Sequence, residues 1–364
     1  MRTRLAVLLL LALCLLPCPA PAADLDTMIG QMILAGFRGF SVDKDSTIVR
    51  DIRERHLGGI ILFDYDMLWG SGRCNIRSVT QVKKLISDLK ANADIPLLMS
   101  VDQEGGKVQR LKKSYGFNET PSAATLCASG DDEVRAAGAM VGTNLSSVGF
   151  NLDFAPVVDV NVNPDSPAIG RLGRSFSSDP DRVARCATLF MDGLNGAGVL
   201  SCLKHFPGHG SAGTDSHKGL TDVTGTWSEA ELIPYRKLIQ GGHADMIMTA
   251  HIFNAHLDPK YPATLSKKVI TGLLRGKLGF QGVVITDDMN MGAIADEYGR
   301  REAILRAIEA GADILLFGNN LAYDEHIVEK VHAVIRSLVD DGSIPEARIE
   351  RSYERIIRLK ESLG

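Results

Sequence analysis

Short apolar runs alternate with amphipathic stretches along most of the chain. Eight runs, at 32–39, 58–63, 96–102, 151–160, 199–205, 245–251, 282–287 and 312–318, are rich in Val, Ile and Leu and show little apolar–polar alternation. Parallel strands buried on both faces have this pattern, whereas half-exposed strands alternate with period two. The segments between the runs carry helical spacing and helix-start signals. Ser78-Val79-Thr80-Gln81 and Ser228-Glu229-Ala230-Glu231 read as capping boxes, in which the first and last side chains satisfy orphan backbone N–H groups. Asp179-Pro180 puts proline in a first helical turn, where its missing N–H is no loss. Ser266, Arg300 and Asp324 open further helices.

Strand–helix alternation repeated eight times predicts an α/β protein, a single-domain (β/α)8 barrel of the TIM type. A doubly wound open sheet is the rival. It would carry a glycine-rich phosphate loop after its first strand, and Gly36-Phe37-Arg38-Gly39 does not fit that fingerprint. No linker, low-complexity segment or internal repeat interrupts the pattern. Residues 346–363 read as a terminal amphipathic helix on the outside of the same domain.

The first residues follow a different rule. Met1-Arg2-Thr3-Arg4 is basic, 5–16 is almost wholly apolar, and 17–23 ends in Ala20-Pro21-Ala22-Ala23. This is the layout of a secretory signal, with cleavage expected after Ala22 or Ala23. It assigns 1–22 to a signal peptide and 23–364 to the barrel domain. The apolar part is too short to span a bilayer. Leu13 and Pro17, before Cys14 and Cys18, disfavour a lipoprotein site. No later segment is apolar enough for a membrane span, so a soluble protein, secreted or periplasmic, is expected; a monomer is the expected state. Without residues 1–22 the balance is 38 basic to 44 acidic residues, a net charge of −6. The basic residues show no clustering in sequence, which argues against nucleic acid as a partner. Cys74, Cys127, Cys186 and Cys202 remain, and in an oxidising compartment four cysteines allow three pairings. Cys74 and Cys127 lie in loop-like sequence and form the preferred pair, while Cys186 and Cys202 read as core residues.

Ionisable residues gather where the predicted strands end. Asp102, Asp159, Lys204 with His205, His251, and Asp287 with Asp288 all stand at such ends. Buried strand ends tolerate charge only if it is paired, hydrated or functional, and in a barrel the C-terminal ends of strands carry the chemistry. The densest stretch is Lys204-His205-Phe206-Pro207-Gly208-His209-Gly210, followed by Asp215-Ser216-His217, three of the chain's nine histidines in one irregular loop. An Asp215–His217 pair would orient and tune an imidazole for proton transfer. His205 and His209, with Asp215 or His217, could instead bind a metal. The plainest alternative is a solvated loop whose histidines cap strand and helix ends.

These residues carry a resemblance. The histidine loop resembles the signature of glycoside hydrolase family 3, and more narrowly that of its single-domain bacterial β-N-acetylhexosaminidases. The likeness extends to Val101-Asp102-Gln103-Glu104-Gly105-Gly106, to Asn151 through Asp159, to Gly173-Arg174-Ser175-Phe176 and to Ile285-Thr286-Asp287-Asp288-Met289. It implies a retaining glycosidase acting on β-linked N-acetylglucosamine glycans, peptidoglycan fragments first among them. Asp287 would be the nucleophile and His217, oriented by Asp215, the proton donor. Asp102, Arg110, Arg174, Lys204 and His205 would bind the nonreducing sugar. No metal and no organic cofactor is implied. Arg174 and Lys204 could alternatively neutralise buried carboxylates, and Asp159 brace neighbouring loops. Lys107 and the segment Phe63-Asp64-Tyr65-Asp66 depart from the pattern, as does the long loop that follows, which bears on the site for the second sugar or aglycone. The alternatives are a β-glucosidase-like exo-glycosidase, a metal-dependent hydrolase and an inactive glycan-binding protein.

Overall fold

A computed structural model of the 364-residue chain describes residues 23–70, 74–215 and 219–363. The predicted signal segment 1–22 lies outside them. Eight parallel strands form the centre: β1 Ile33–Gly36, β2 Gly59–Ile61, β3 Leu98–Val101, β4 Leu152–Asp153, β5 Leu200–Phe206, β6 Met246–Thr249, β7 Val283–Ile285 and β8 Leu315–Phe317. Seven of the predicted runs contain one of them, and β5 extends one residue beyond the run at 199–205. Sequence neighbours pair throughout, β1 pairs with β8 (Leu34 opposite Leu316), and a parallel bridge between Ile285 and Ile314 joins β7 to β8. The sheet therefore closes on itself as a (β/α)8 barrel, and closure removes the edge strands of an open sheet.

Except for β5, the strands are shorter than the apolar runs that signalled them. β4 stops at Asp153 although the run continues to Val160. Pro156 has no N–H to give a ladder. Beyond it the chain follows β5 irregularly, with Val158 N donating to Lys204 O at 2.8 Å.

Amphipathic helices cover the outside. Helix Val79–Lys90 buries Val82, Leu85, Ile86 and Leu89, a helical stripe, and Ser78 Oγ accepts from Gln81 N at 3.2 Å. Gln81 Oε1 takes the N–H of Arg77 at 3.0 Å, so the reciprocal half of this capping box is displaced by one residue. The second expected box does not form. Glu229–Leu232 is a 3-10 turn ahead of helix Ile233–Gln240, and Glu231 turns inward, wholly buried. Helices Asp131–Val148 and Pro180–Asn195 approach closely: a Cβ on Gly138 would stand 2.1 Å from Phe190 O. The last helix, Glu346–Glu361, packs on Leu25–Gln31, where buried Lys360 donates to Gln31 Oε1 (2.6 Å) and Gly58 O (2.7 Å).

The disulfide differs from the expected pairing. Cys127 is bonded to Cys186, with Cα atoms 6.0 Å apart, and Cys74 and Cys202 are free and buried. Cys127 belongs to helix Ala123–Ser129, not to a loop, and Arg182 ties the two segments together by donating to Cys127 O at 2.9 Å. Helix docking brings these sulfurs into bonding range. Sequence character carried no information about that contact.

Candidate active site

The loops at the C-terminal ends of the strands surround one cavity of about 430 Å³. Asp287, Asp215, Asp102, Arg110, Arg174, Lys204 and His205 all line it. His217 lies outside the described residues, two positions beyond Asp215.

The floor is set first by the chain after β3. Gln103–Gly105 folds back on Val108–Gln109, and Gly105 and Gly106 make the turn at φ 95° and 59°, a region that side chains disfavour. Gln103 Oε1 accepts from both Arg110 N and Leu111 N at 2.9 Å, fixing the return strand. Asp102 and Glu104, two residues apart in extended chain, both line the cavity. Lys204, near the end of β5, donates to Asp102 Oδ1 and lies 2.7 Å from Glu104 Oε1. Arg174 grips Glu104 with two bonds, Nε to Oε2 at 2.7 Å and Nη2 to Oε1 at 2.8 Å, and Arg110 lies 3.6 Å from Asp102.

Burial alone would raise the Glu104 carboxyl, but Arg174 and then Lys204 outweigh it and hold it well below the carboxylate range. Burial likewise opposes ionisation of Asp102, and Lys204 followed by Arg110 overcomes it. Lys204 is desolvated yet held above the ordinary lysine value by Asp102 and Glu104. Two carboxylates and three cations thus stay charged together, a fixed set of donors and acceptors suited to a polyol.

His205 and Asp159 form the next layer. Asp159 Oδ2 stands 2.7 Å from His205 Nδ1, and Oδ1 accepts the backbone N–H of His205 (3.2 Å) and His209 (2.7 Å). A carboxylate only accepts, so Nδ1 carries the proton. Arg174 Nη2, 3.3 Å from Nε2, only donates, so Nε2 accepts. Both ring nitrogens are engaged, which leaves neither lone pair open to a metal. Among the described residues no group of three or more His, Cys, Asp or Glu is placed to hold one. Asp159 braces the loop, as the strand-end alternative expected.

The rest of that loop stands on buried supports. Gly210 N donates to Glu231 Oε2 at 2.9 Å, and a Cβ on Gly210 would fall 1.6 Å from Val160 O. Burial pushes the Glu231 carboxyl up to about 7, and it pushes His209, helped by His205, down to about 4. His209 therefore shapes the loop as a neutral ring.

Asp287 and Asp288 follow β7 and both line the cavity. Asp288 Oδ1 accepts from Asn290 N (3.0 Å) and Gly318 N (2.9 Å), tying this loop to the end of β8. His251 Nε2 donates to Asp288 O at 3.0 Å from beneath; it does not line the cavity. Asp287 Oδ1 accepts Asp288 N at 2.8 Å. Asp288 thus fastens the turn that follows β7 to the end of β8.

Two residues of this architecture escaped the sequence reading. Glu104 had a usable signal, since it lies two residues beyond Asp102 in extended chain. Glu231 had a misleading one, because its capping-box spacing pointed to a helix start.

A closed (β/α)8 barrel with carboxylates and cations gathered at the C-terminal ends of its strands has the layout of an enzyme, although that fold hosts many chemistries. The sequence profile of the glycosyl hydrolase family 3 N terminal domain matches residues 24–359, and the chain belongs to that family. It is 33% identical over 374 residues to Beta-hexosaminidase A of Pseudoalteromonas piscicida, covering 92% of this chain and 61% of that protein. It is 38% identical over 277 residues to a Beta-hexosaminidase of Tolumonas auensis, covering 74% of this chain and 78% of that one. Among solved structures it resembles a family 3 beta-N-acetylglucosaminidase from Paenibacillus sp. str. FPU-7, with 38% identity and a TM-score of 0.85. That match covers 94% of this chain and 63% of the other. The chain therefore spans somewhat under two thirds of the length of two of these relatives.

Proposed function

We propose that the protein is an exported, retaining exo-β-N-acetylglucosaminidase that removes terminal N-acetylglucosamine from β-linked glycans, peptidoglycan fragments in particular. The observation that carries this reading is that Asp287 and Asp215 line one cavity with the Asp102–Lys204–Glu104–Arg174 network. The network, with Arg110 and His205, binds the terminal sugar. The Asp287 carboxylate attacks C1, the bond from C1 to the leaving oxygen breaks, and the imidazolium of His217 gives that oxygen its proton. Water then attacks C1 from the vacated side, His217 takes up its proton, and Asp287 leaves as carboxylate. Asp215 orients the imidazole and stabilises its charged form. Side chains alone supply this chemistry.

Export is supported by the basic, apolar and small-residue order of 1–23 and by the Cys127–Cys186 bond, which suits an oxidising compartment. Among the described residues no helix is long and apolar enough to cross a membrane. A monomer is the proposed state, to be checked by light scattering.

A fluorinated glycoside that traps the covalent intermediate should label Asp287, read by peptide mass spectrometry. A label elsewhere, with Asp287→Ala still active, removes the mechanism. Parallel assays on nitrophenyl β-glucoside and β-N-acetylglucosaminide separate this reading from a β-glucosidase.

A further inference from the structure

The loop leaving β2 is built unlike the rest of the rim. Six large apolar side chains are strongly exposed among the described residues, and four of them are Tyr65, Met67, Leu68 and Trp69. Single exposed apolar residues are ordinary, but a contiguous patch beside a cavity marks a contact surface. The patch is held in place. Buried Asp66 accepts from Arg38 Nε at 2.6 Å and from the backbone N–H of Leu68 (3.0 Å) and Trp69 (2.9 Å). The Arg38 guanidinium lies 4.2 Å from the Trp69 ring centroid and 4.0 Å from that of Tyr323. Arg38 thus backs the indole, yet Trp69 remains 63% exposed. Asn320 pins the other end, accepting from Met67 N (3.1 Å) and donating to Tyr65 O (3.0 Å).

This platform is continuous with the cavity. Tyr65 and Met67 line the space that holds Asp287, and so does Asp64. Asp64 is buried, with Lys112 Nζ 2.5 Å from Oδ2, while its buried Oδ1 has no hydrogen-bond partner among the described residues. A buried acceptor left open costs stability unless something fills it. A pyranose ring has an apolar C–H face that lies on an aromatic ring and a polar edge of hydroxyl and amide donors.

If the charged network takes the terminal sugar, the remainder of the glycan must leave past the mouth. We propose that Asp64, Tyr65 and Trp69 form a leaving-group subsite for the following pyranose rings of a β-linked oligosaccharide. Tyr65 and Trp69 offer the ring faces, and Asp64, held by Lys112, lines the cavity beside them. The inference rests on the glycosidase reading. It makes the enzyme selective for sugar chains over short aglycones.

The test compares tri-N-acetylchitotriose with methyl β-N-acetylglucosaminide, whose leaving group is too small to reach the platform. Trp69→Ala should lower kcat/KM on the trisaccharide about tenfold, the scale of one apolar pocket contact. The methyl glycoside should change less than about twofold on the same scale. Tyr65→Ala should behave alike. Asp287→Asn, which stops turnover, allows binding to be read by tryptophan emission, since the chain holds only Trp69 and Trp227. The trisaccharide should perturb that emission, and Trp69→Ala should remove the response. If the wild type cleaves both substrates and Trp69→Ala treats them alike, as a protein-docking patch would, the subsite is wrong and the glycosidase reading stands. If the wild type cleaves neither, the glycosidase reading fails and takes the subsite with it.

Discussion

Glu104→Gln isolates the charge network at the base of the cavity. The native carboxylate bridges Lys204 at 2.7 Å and Arg174 at 2.7 and 2.8 Å, and all three groups are nearly buried. At ~4 Å and an effective dielectric of about 20, one unit-charge pair contributes ~4 kcal/mol. Removing the carboxylate also removes its own desolvation penalty, and breaking a buried pair typically costs about 3–5 kcal/mol. Glutamine keeps one acceptor, and Asp102 remains on Lys204, so the lower end, about 3 kcal/mol, is expected. At ~2.1 cal/mol/K of unfolding entropy per residue, a barrel of this size should lose about 4 °C in Tm. The pH dependence is the sharper check. The folded pKa of Glu104 is depressed, so its contribution is complete above the ordinary carboxylate value and lost only as pH falls through the folded one. The gap between wild type and Glu104→Gln should therefore stay constant from about pH 8 to pH 5 and narrow only in stronger acid. Because Lys204 and Arg174 lose their shared anchor, kcat/KM should also fall by about 100-fold, the usual result of displacing binding groups by about an ångström. A gap under about 1 kcal/mol, or one that closes between about pH 7 and 5, would refute the bridging argument.

Other outcomes follow from single contacts. Asp288→Ala should destabilise by about 1–3 kcal/mol, through loss of the acceptor for Gly318 N and Asn290 N, yet keep measurable turnover. Asp287→Ala should lose roughly 10⁴-fold in kcat with little change in Tm, and steady-state kinetics beside calorimetry distinguish the two. Reducing Cys127–Cys186, which joins residues 59 apart, should cost about 4 kcal/mol by chain entropy. In the folded protein thiol reagents should miss Cys74, whose thiol burial pushes up to about 12. His209 has a folded pKa of about 4, below its ordinary 6.5, so stability is intact above that value and falls as pH drops. His209→Gln should flatten this acid limb in Tm measured between about pH 7 and 4. Gly210→Ala, which drives a Cβ to 1.6 Å from Val160 O, should displace the Asp215 loop and lose most activity even where the barrel survives.

The barrel was legible because its strands are buried on both faces: an unbroken apolar run announces such a strand, and eight of them alternating with helical stripes leave few architectures. The strand-end chemistry was legible for a related reason. Charges such as Lys204 or Asp287 at the end of an apolar run are conspicuous, since burial there requires compensation. What linear order could not give was partnership. Lys204 finds Asp102 across 102 positions and Arg174 finds Glu104 across 70, and no local pattern encodes those meetings. The same limit misdirected the disulfide, where helix docking and not residue character brought Cys127 to Cys186. It also misread Glu231, whose capping-box spacing was overridden by a buried backbone N–H needing an acceptor. The amino-acid order by itself determined the repeat, its closure and the residues able to carry charge to the mouth, because those depend on local periodicity and the cost of burial. Only the tertiary structure decided which charges neutralise one another, which segments Asp288 fastens together, and where the aromatic rim lies. Those depend on distances between segments that only the closed barrel brings together.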